Sequence, residues 1–152
     1  MEPRLKYPKV APALFQAMSA LEAEVARSGV EPTLLELVRM RASQINGCAY
    51  CLDAHWKAAV GVGLSPQRLY SLPAWRETSF YSDRERAALA LCEAMTEVSD
   101  GHVRDEVFDA ARPHFSDEHL VSLAWAIAAI NTWNRMAVTF RAAPRPDAGN
   151  TP

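Results

Sequence analysis

Apolar residues recur along most of the chain at intervals of three and four positions, the spacing of an α-helix that buries one face. Glycine and proline interrupt this spacing, and serine stands before several of the apolar segments, as an N-cap does. Ser82 and Glu85 have the spacing of a capping box. We therefore predict seven helices, over residues 11–27, 32–45, 47–60, 66–72, 82–98, 103–112 and 117–140.

The composition favours helices over strands. Alanine contributes 26 residues, and valine and isoleucine together contribute 14. Alanine loses no side-chain entropy in a helix, so this balance predicts an all-α fold. We expect one helical domain over residues 1–141. Residues 142–152 have three prolines and no apolar anchor, so we predict a disordered tail there.

Two segments depart from the simple amphipathic pattern. Residues 73–81 have no helical period but carry several aromatic side chains, which predicts an ordered loop packed on the core. The seventh helix is apolar on nearly all sides, which predicts burial at the centre of the fold or against another subunit. Asn131, Asn134 and Arg135 lie on this helix, and we expect them to form a polar network across a subunit boundary.

The charge balance argues against several classes of function. The 152 residues are 49% apolar, enough for the core of one domain, and their net charge of −2 does not fit a nucleic-acid-binding protein. The longest uninterrupted apolar run, residues 123–130, is too short to span a membrane, and no signal-peptide pattern follows the first residues. We predict a cytoplasmic protein without nucleic-acid or membrane partners.

Three cysteines provide the candidate chemistry. An odd number in a reducing compartment does not form a disulfide framework, so their spacing indicates redox or metal chemistry. On the third predicted helix, Cys51 lies about 60° and His55 about 20° around the axis from Cys48, so the three side chains share one arc. Cys92 lies on the apolar stripe of the fifth predicted helix, where we expect an unreactive core thiol.

Two features of this arc favour reactive thiols. Free backbone N–H groups in the first helical turn favour a thiolate at Cys48. His55, one turn after Cys51, can accept the proton of that thiol. We expect Glu36, on the preceding helix, to hold the imidazole, because an antiparallel helix pair would bring it alongside. The spacing alone does not decide which sulfur attacks.

Four residues of this region resemble the signature of the AhpD-like alkylhydroperoxidases, within the carboxymuconolactone decarboxylase superfamily. They are Glu36, Cys48, Cys51 and His55. Three neighbouring segments are similar to the family as well, namely residues 41–51, 84–89 and 130–135. The resemblance covers about residues 8–141, and it implies an AhpD-like helical bundle that forms trimers or hexamers.

The resemblance also implies a thiol peroxidase that reduces hydrogen peroxide or organic hydroperoxides in antioxidant defence. The sulfur matching Cys51 attacks the peroxide and becomes a sulfenic acid, and the sulfur matching Cys48 resolves it to a disulfide. The residues matching His55 and Glu36 relay the proton. Tyr50 stands where the best-known members have histidine, and tyrosine is a poor base, so the relay runs through His55. A lipoyl, thioredoxin-like or peroxiredoxin partner would supply electrons.

Other functions remain open for the same residues. A CxxC pair also suits a thiol–disulfide oxidoreductase or a carrier for a partner protein. A zinc-binding interaction module would use the thiolates and the imidazole as ligands, but no second Cys/His pair is present to complete a tetrahedral site. We predict no metal and no cofactor. The decarboxylase branch of the superfamily lacks the paired cysteines, which argues against decarboxylation here.

Overall fold

The structure is a computed structural model, and it describes residues 2–147. Within this range the chain forms eight α-helices and two short 3₁₀ segments, with no residue in a β-strand. The α-helices are α1 (Tyr7–Val10), α2 (Pro12–Arg27), α3 (Pro32–Ile45), α4 (Ala49–Gly61), α5 (Pro66–Tyr70), α6 (Asp83–Thr96), α7 (Asp105–Ala111) and α8 (Asp117–Phe140). The predicted all-α fold is confirmed. Between residues 2 and 147, none of the helices has the length and apolarity needed to cross a membrane.

The helix starts follow the signals in the sequence. Ser82 and Glu85 form a reciprocal capping box at the start of α6, and the Ser116 hydroxyl accepts a backbone N–H at the start of α8. The predicted third helix begins two residues later than expected, at Ala49. Cys48 is therefore the N-cap of α4, and its sulfur lies where the first free N–H groups of that helix point.

Three short segments differ from the prediction. An additional helix, α1, precedes α2. Part of the predicted loop forms the 3₁₀ segment Leu72–Glu77, which is too short and too tightly wound to show a 3.6-residue period in the sequence. Of the predicted disordered tail, residues 142–147 belong to no helix or strand, and residues 148–152 lie outside the described part of the chain.

The central helix of the fold is α3. Residues 34–40 are all buried, because one apolar cluster packs α3 against α6 and α8 while a second packs its other face against α5 and the 3₁₀ segment. Within the single chain, α8 buries only its inner face, and Val121, Trp125 and Val138 are exposed. Burial of the outer face of α8 against another subunit stays a prediction.

A polar network joins the turn between α3 and α4 to α8. The side-chain amide of Asn46 donates to the Oδ1 atoms of Asn131 and Asn134, each at 2.9 Å. Asn134 donates to Ser43 Oγ at 3.1 Å, and Asn131 donates to Thr96 Oγ1 at 3.0 Å. Contrary to the expectation of a network across a subunit boundary, these partners all belong to one chain. They fix the turn that leads into α4.

Asn134→Ala should lower the free energy of unfolding by roughly 2–3 kcal/mol. Asn134 is only 1% exposed, and its removal takes one acceptor from Asn46 and the donor from Ser43. Denaturant titration of Asn134→Ala and of a control variant, Thr132→Ala, measures the effect. Thr132 is exposed on the same helix, and its hydroxyl donates only to a backbone oxygen of that helix. The control should change by less than about 0.5 kcal/mol. Equal losses in both variants would mean that the network adds no stability.

Candidate active site

The two cysteines of the CxxC segment lie at the start of α4. Cys48 is the N-cap, and its Sγ accepts a hydrogen bond from the backbone N–H of Cys51 at 3.4 Å. The two sulfurs are joined in a disulfide, and the Cα atoms lie 5.4 Å apart. The two residues are 1% and 3% exposed and belong to the larger apolar cluster. The pair is thus built into the core of the chain, at the start of a helix.

His55 lies one turn after Cys51 and contacts a carboxylate from the preceding helix. Its Nδ1 atom is 2.8 Å from Oε2 of Glu36. Glu36 stands nineteen positions earlier, on α3, and is buried at 6% exposure. The tight turn at residues 46–48 folds α4 back along α3, which brings the two side chains together. All four residues singled out in the sequence therefore lie in one region, and their catalytic roles stay predictions.

The Glu36 carboxylate is ionised although it is buried. Burial raises the pKa of Glu36, but the hydrogen bond and charge of His55 and the Arg39 guanidinium outweigh this, and the net pKa lies below its ordinary value. An ionised carboxylate can only accept hydrogen bonds, so Nδ1 of His55 carries the proton. In the neutral form of the imidazole, Nε2 is then the nitrogen that is free to accept a proton.

Three further residues, which the sequence did not place at the site, extend this pair. Arg39 donates from Nη1 to Oε1 of Glu36 at 2.7 Å and from Nη2 to Oε2 of Glu22 at 2.5 Å. The indole N–H of Trp133 donates to Oε1 of Glu22 at 3.1 Å. Arg39 follows Glu36 by three positions on α3, a spacing that could have indicated the contact. Glu22 and Trp133 lie on α2 and α8, and no local pattern connects them to the site.

The third cysteine is separate from this arrangement. Cys92 is fully buried on α6, and its Sγ donates to the backbone oxygen of Val38 at 3.3 Å. Burial raises the pKa of the Cys92 thiol to about 12, so it stays protonated at neutral pH. The thiolate is the reactive form of cysteine. The predicted assignment of Cys92 to the core is confirmed.

A zinc site would need several ligands gathered in one place. Among residues 2–147, no group of three or more His, Cys, Asp or Glu side chains is arranged to hold a metal ion. The sulfurs of Cys48 and Cys51 are bonded to each other, and the imidazole of His55 is bonded to Glu36. The disulfide leaves no free thiolate at this site, and Nε2 is the nitrogen of His55 that does not contact Glu36. The two cysteines lie within the distance that thiol–disulfide chemistry requires.

Sequence comparison finds a family and a relative that match most of the candidate site. The model of the carboxymuconolactone decarboxylase family matches residues 12–94, which include Glu36, Cys48, Cys51 and His55. The uncharacterized protein YdfG of Bacillus subtilis is 39% identical over 138 residues, which are 91% of this chain and 94% of YdfG.

Solved structures share the fold. A protein of unknown function from Agrobacterium tumefaciens, named as a candidate antioxidant defence protein AhpD, is 42% identical with a TM-score of 0.93, over 96% of this chain and 100% of that one. An uncharacterized peroxidase-related protein from Ralstonia eutropha with an alkylhydroperoxidase AhpD core is 25% identical with a TM-score of 0.80, over 91% and 74%. The debrominase Bmp8 is 23% identical with a TM-score of 0.81, over 90% and 73%. It is similar to this chain in fold.

Proposed function

Because the chain belongs to the carboxymuconolactone decarboxylase family, as its motifs predicted, we propose that it is a thiol-dependent peroxidase of antioxidant defence. Its substrates would be hydrogen peroxide or organic hydroperoxides. The observation that carries the proposal is the hydrogen-bonded pair of His55 and Glu36 one helical turn beyond the Cys48–Cys51 disulfide. Peroxide cleavage needs a base to form the thiolate and an acid for the departing oxygen, and an imidazole held by a carboxylate can serve as both.

The first half-reaction starts from the reduced dithiol. Nε2 of His55 accepts the proton of the Cys51 thiol, and Glu36 stabilises the imidazolium that forms. The thiolate attacks the terminal peroxide oxygen, so an S–O bond forms while the O–O bond breaks. The imidazolium then returns its proton to the departing alkoxide. One hydroperoxide is thereby reduced to an alcohol, and Cys51 is oxidised to a sulfenic acid.

The second half-reaction closes the disulfide. The sulfur of Cys48 attacks the sulfur of the sulfenic acid, the S–S bond forms, and hydroxide leaves with the proton of the Cys48 thiol as water. A reductant must then return two electrons and two protons. Because both cysteines are almost completely buried, a dithiol on an extended arm, such as a lipoyl group, suits this step better than a thioredoxin-like or peroxiredoxin surface.

The proposal includes assembly into a homo-oligomer, a trimer or a hexamer. Large apolar side chains remain exposed on the single chain at α1, α2 and α8. They include Val10, Leu14, Val121 and Trp125. Residues of α1, α2 and α8 also line an apolar cleft of about 620 Å³. Monomeric proteins rarely leave extended apolar surfaces of this kind open to water, and a second copy would cover them.

Thiol titration before and after one equivalent of peroxide tests the proposal. The fully reduced chain should lose two thiols per equivalent of hydrogen peroxide or of cumene hydroperoxide. Cys92 should react only after unfolding, and Cys92→Ala should still lose two thiols. Faster oxidation by a protein disulfide than by peroxide would favour the carrier function. Stoichiometric zinc in the same sample, without loss of thiols on peroxide addition, would favour the zinc-binding module.

A further inference from the structure

The carboxylate that contacts His55 is one of two carboxylates bound by the same guanidinium. Arg39 binds Glu36 through Nη1 and Glu22 through Nη2, at 2.7 and 2.5 Å. The second oxygen of Glu22 accepts the indole N–H of Trp133 at 3.1 Å. A continuous chain of hydrogen bonds therefore runs from α8 through α2 and α3 to the imidazole on α4. These side chains are mostly withdrawn from water: Glu36 is buried, and the side chains of Arg39 and Glu22 are 10% and 25% exposed.

The charges in this chain do not cancel while His55 is neutral. Arg39 and Glu36 alone would neutralise each other, but Glu22 binds the same guanidinium and leaves a net charge of −1. When the imidazole takes up a proton, the net charge becomes zero. Charges in a partly buried cluster are screened less by water and salt than charges on the surface. Glu22 is therefore the charge that this group of side chains carries in excess while the imidazole is neutral.

We propose that Arg39 and Glu22 are positioning residues that set the proton affinity of His55 through Glu36. Arg39 holds one oxygen of Glu36, so that the other faces Nδ1 of the imidazole. Glu22 supplies the negative charge that Arg39 would otherwise remove from Glu36. The role of Arg39 and Glu22 in catalysis rests on the proposed function, since His55 must keep the proton of Cys51 until the alkoxide departs. The effect of Glu22 on His55 is independent of the substrate.

Several other charged side chains near α4 have partners of their own. Within the described residues, Lys57 on α4 binds Asp53 and Asp147, Arg41 on α3 binds Glu93 on α6, and Arg135 on α8 binds Asn131. Arg145 lies with Asp53 and Lys57 along a surface cleft. In the oxidised protein the two cysteines are joined and do not titrate. In that state no ionisable thiol lies beside the imidazole, so a change of charge in the chain of Glu36, Arg39 and Glu22 can be measured without one.

NMR titration of the imidazole nitrogens in the oxidised protein tests the role of Glu22. His55→Gln identifies the His55 signals among the four histidines. Glu22→Gln should lower the midpoint of the His55 titration by about half a pH unit, because one negative charge is removed. Glu24→Gln is the matched control, since Glu24 lies on the same helix, is 71% exposed and pairs with Arg27. A shift in Glu22→Gln no larger than that in Glu24→Gln would overturn the proposal.

Arg39→Lys provides a second test, which does not depend on the Glu22 variant folding. Lysine keeps the charge but cannot hold two carboxylates in a fixed fork. The nitrogen chemical shifts should change from a single Nδ1-protonated tautomer to a mixture of the two tautomers. An unchanged tautomer in Arg39→Lys would show that Arg39 does not position Glu36 against His55, and would overturn its proposed role. These readouts need no turnover, so a wild-type protein without peroxidase activity would overturn the proposed function and leave the His55 result standing.

Discussion

Cys48→Ser should consume one equivalent of hydrogen peroxide and then hold a sulfenic acid on Cys51, because the sulfur that closes the disulfide is gone. Cys51→Ser should instead lose peroxide reduction by on the order of 10³-fold or more, as expected when the attacking nucleophile is removed. Each variant replaces one of the two thiols of the same CxxC pair. Their opposite outcomes would assign the roles that the spacing of the sequence leaves open.

The structure contains opposing influences on this choice. Cys48, at the N-cap of α4, accepts the N–H of Cys51, and such a contact favours a thiolate there. Cys51 has the imidazole of His55 one turn away, and that imidazole is held by an ionised carboxylate. Backbone N–H groups can stabilise a thiolate, but only the imidazole can also supply a proton to the leaving oxygen.

Trapping with a dione reagent, followed by peptide mass spectrometry, locates the oxidised sulfur. Cys48→Ser should give an adduct on Cys51, while Cys51→Ser should give none. Cys92→Ala, with the remote core thiol removed, should turn over peroxide at the wild-type rate, which controls for changes unrelated to the CxxC pair. An adduct on Cys48 in Cys51→Ser would reverse the assignment and make the helix N-terminus the dominant influence.

The sequence predicted those parts of the fold and site that depend on neighbours along the chain. The CxxC segment, His55 one turn later and Glu36 on the preceding helix all lie within nineteen positions and are joined by one tight turn. Helical periodicity is sufficient to relate such residues. Cys92 was likewise placed in the core because it lies on the apolar stripe of its own helix.

Contacts between distant helices could not be predicted in the same way. Glu22 and Arg39 are 17 positions apart, and Glu22 and Trp133 are 111 apart, so only the packing of α8 against both α2 and α3 brings them together. The polar character of Asn131 and Asn134 indicated that they need partners, but not that Asn46 and Ser43 supply them. Propensity and periodicity do not define which helices become neighbours.

Glu36→Gln should slow the reaction of the reduced protein with peroxide by about 10²-fold. The amide has no charge to stabilise the imidazolium, and it can present either an acceptor or a donor to Nδ1, so the tautomer of His55 is no longer fixed. Stopped-flow measurement of peroxide consumption at neutral pH follows the change. An unchanged rate would mean that His55 works without its carboxylate.

Glu93→Gln is the matched control for this prediction. Glu93 is a largely buried carboxylate on α6 that accepts hydrogen bonds from Arg41 at 2.7 Å, Trp75 at 2.9 Å and Arg76 at 2.5 Å. It makes no contact with His55. Its replacement should therefore lower stability while the peroxide rate stays at the wild-type level. Equal rate losses in the two variants would indicate a general loss of folding instead of a specific role for Glu36.

The pH dependence of stability separates the structural contribution of Glu36 from its catalytic one. Burial acts to raise the pKa of Glu36 and of Glu93. The contacts of His55 and Arg39 lower the pKa of Glu36 below the ordinary 4.5, and the hydrogen bonds of Trp75, Arg76 and Arg41 do the same for Glu93. A carboxyl with a lowered folded-state pKa stabilises the fold above its ordinary pKa, and this is lost as the pH falls through the folded value. Both Gln variants should thus show a weaker decline of unfolding free energy in acid. Only Glu36→Gln should change the peroxide rate at neutral pH, because only that carboxylate contacts the imidazole.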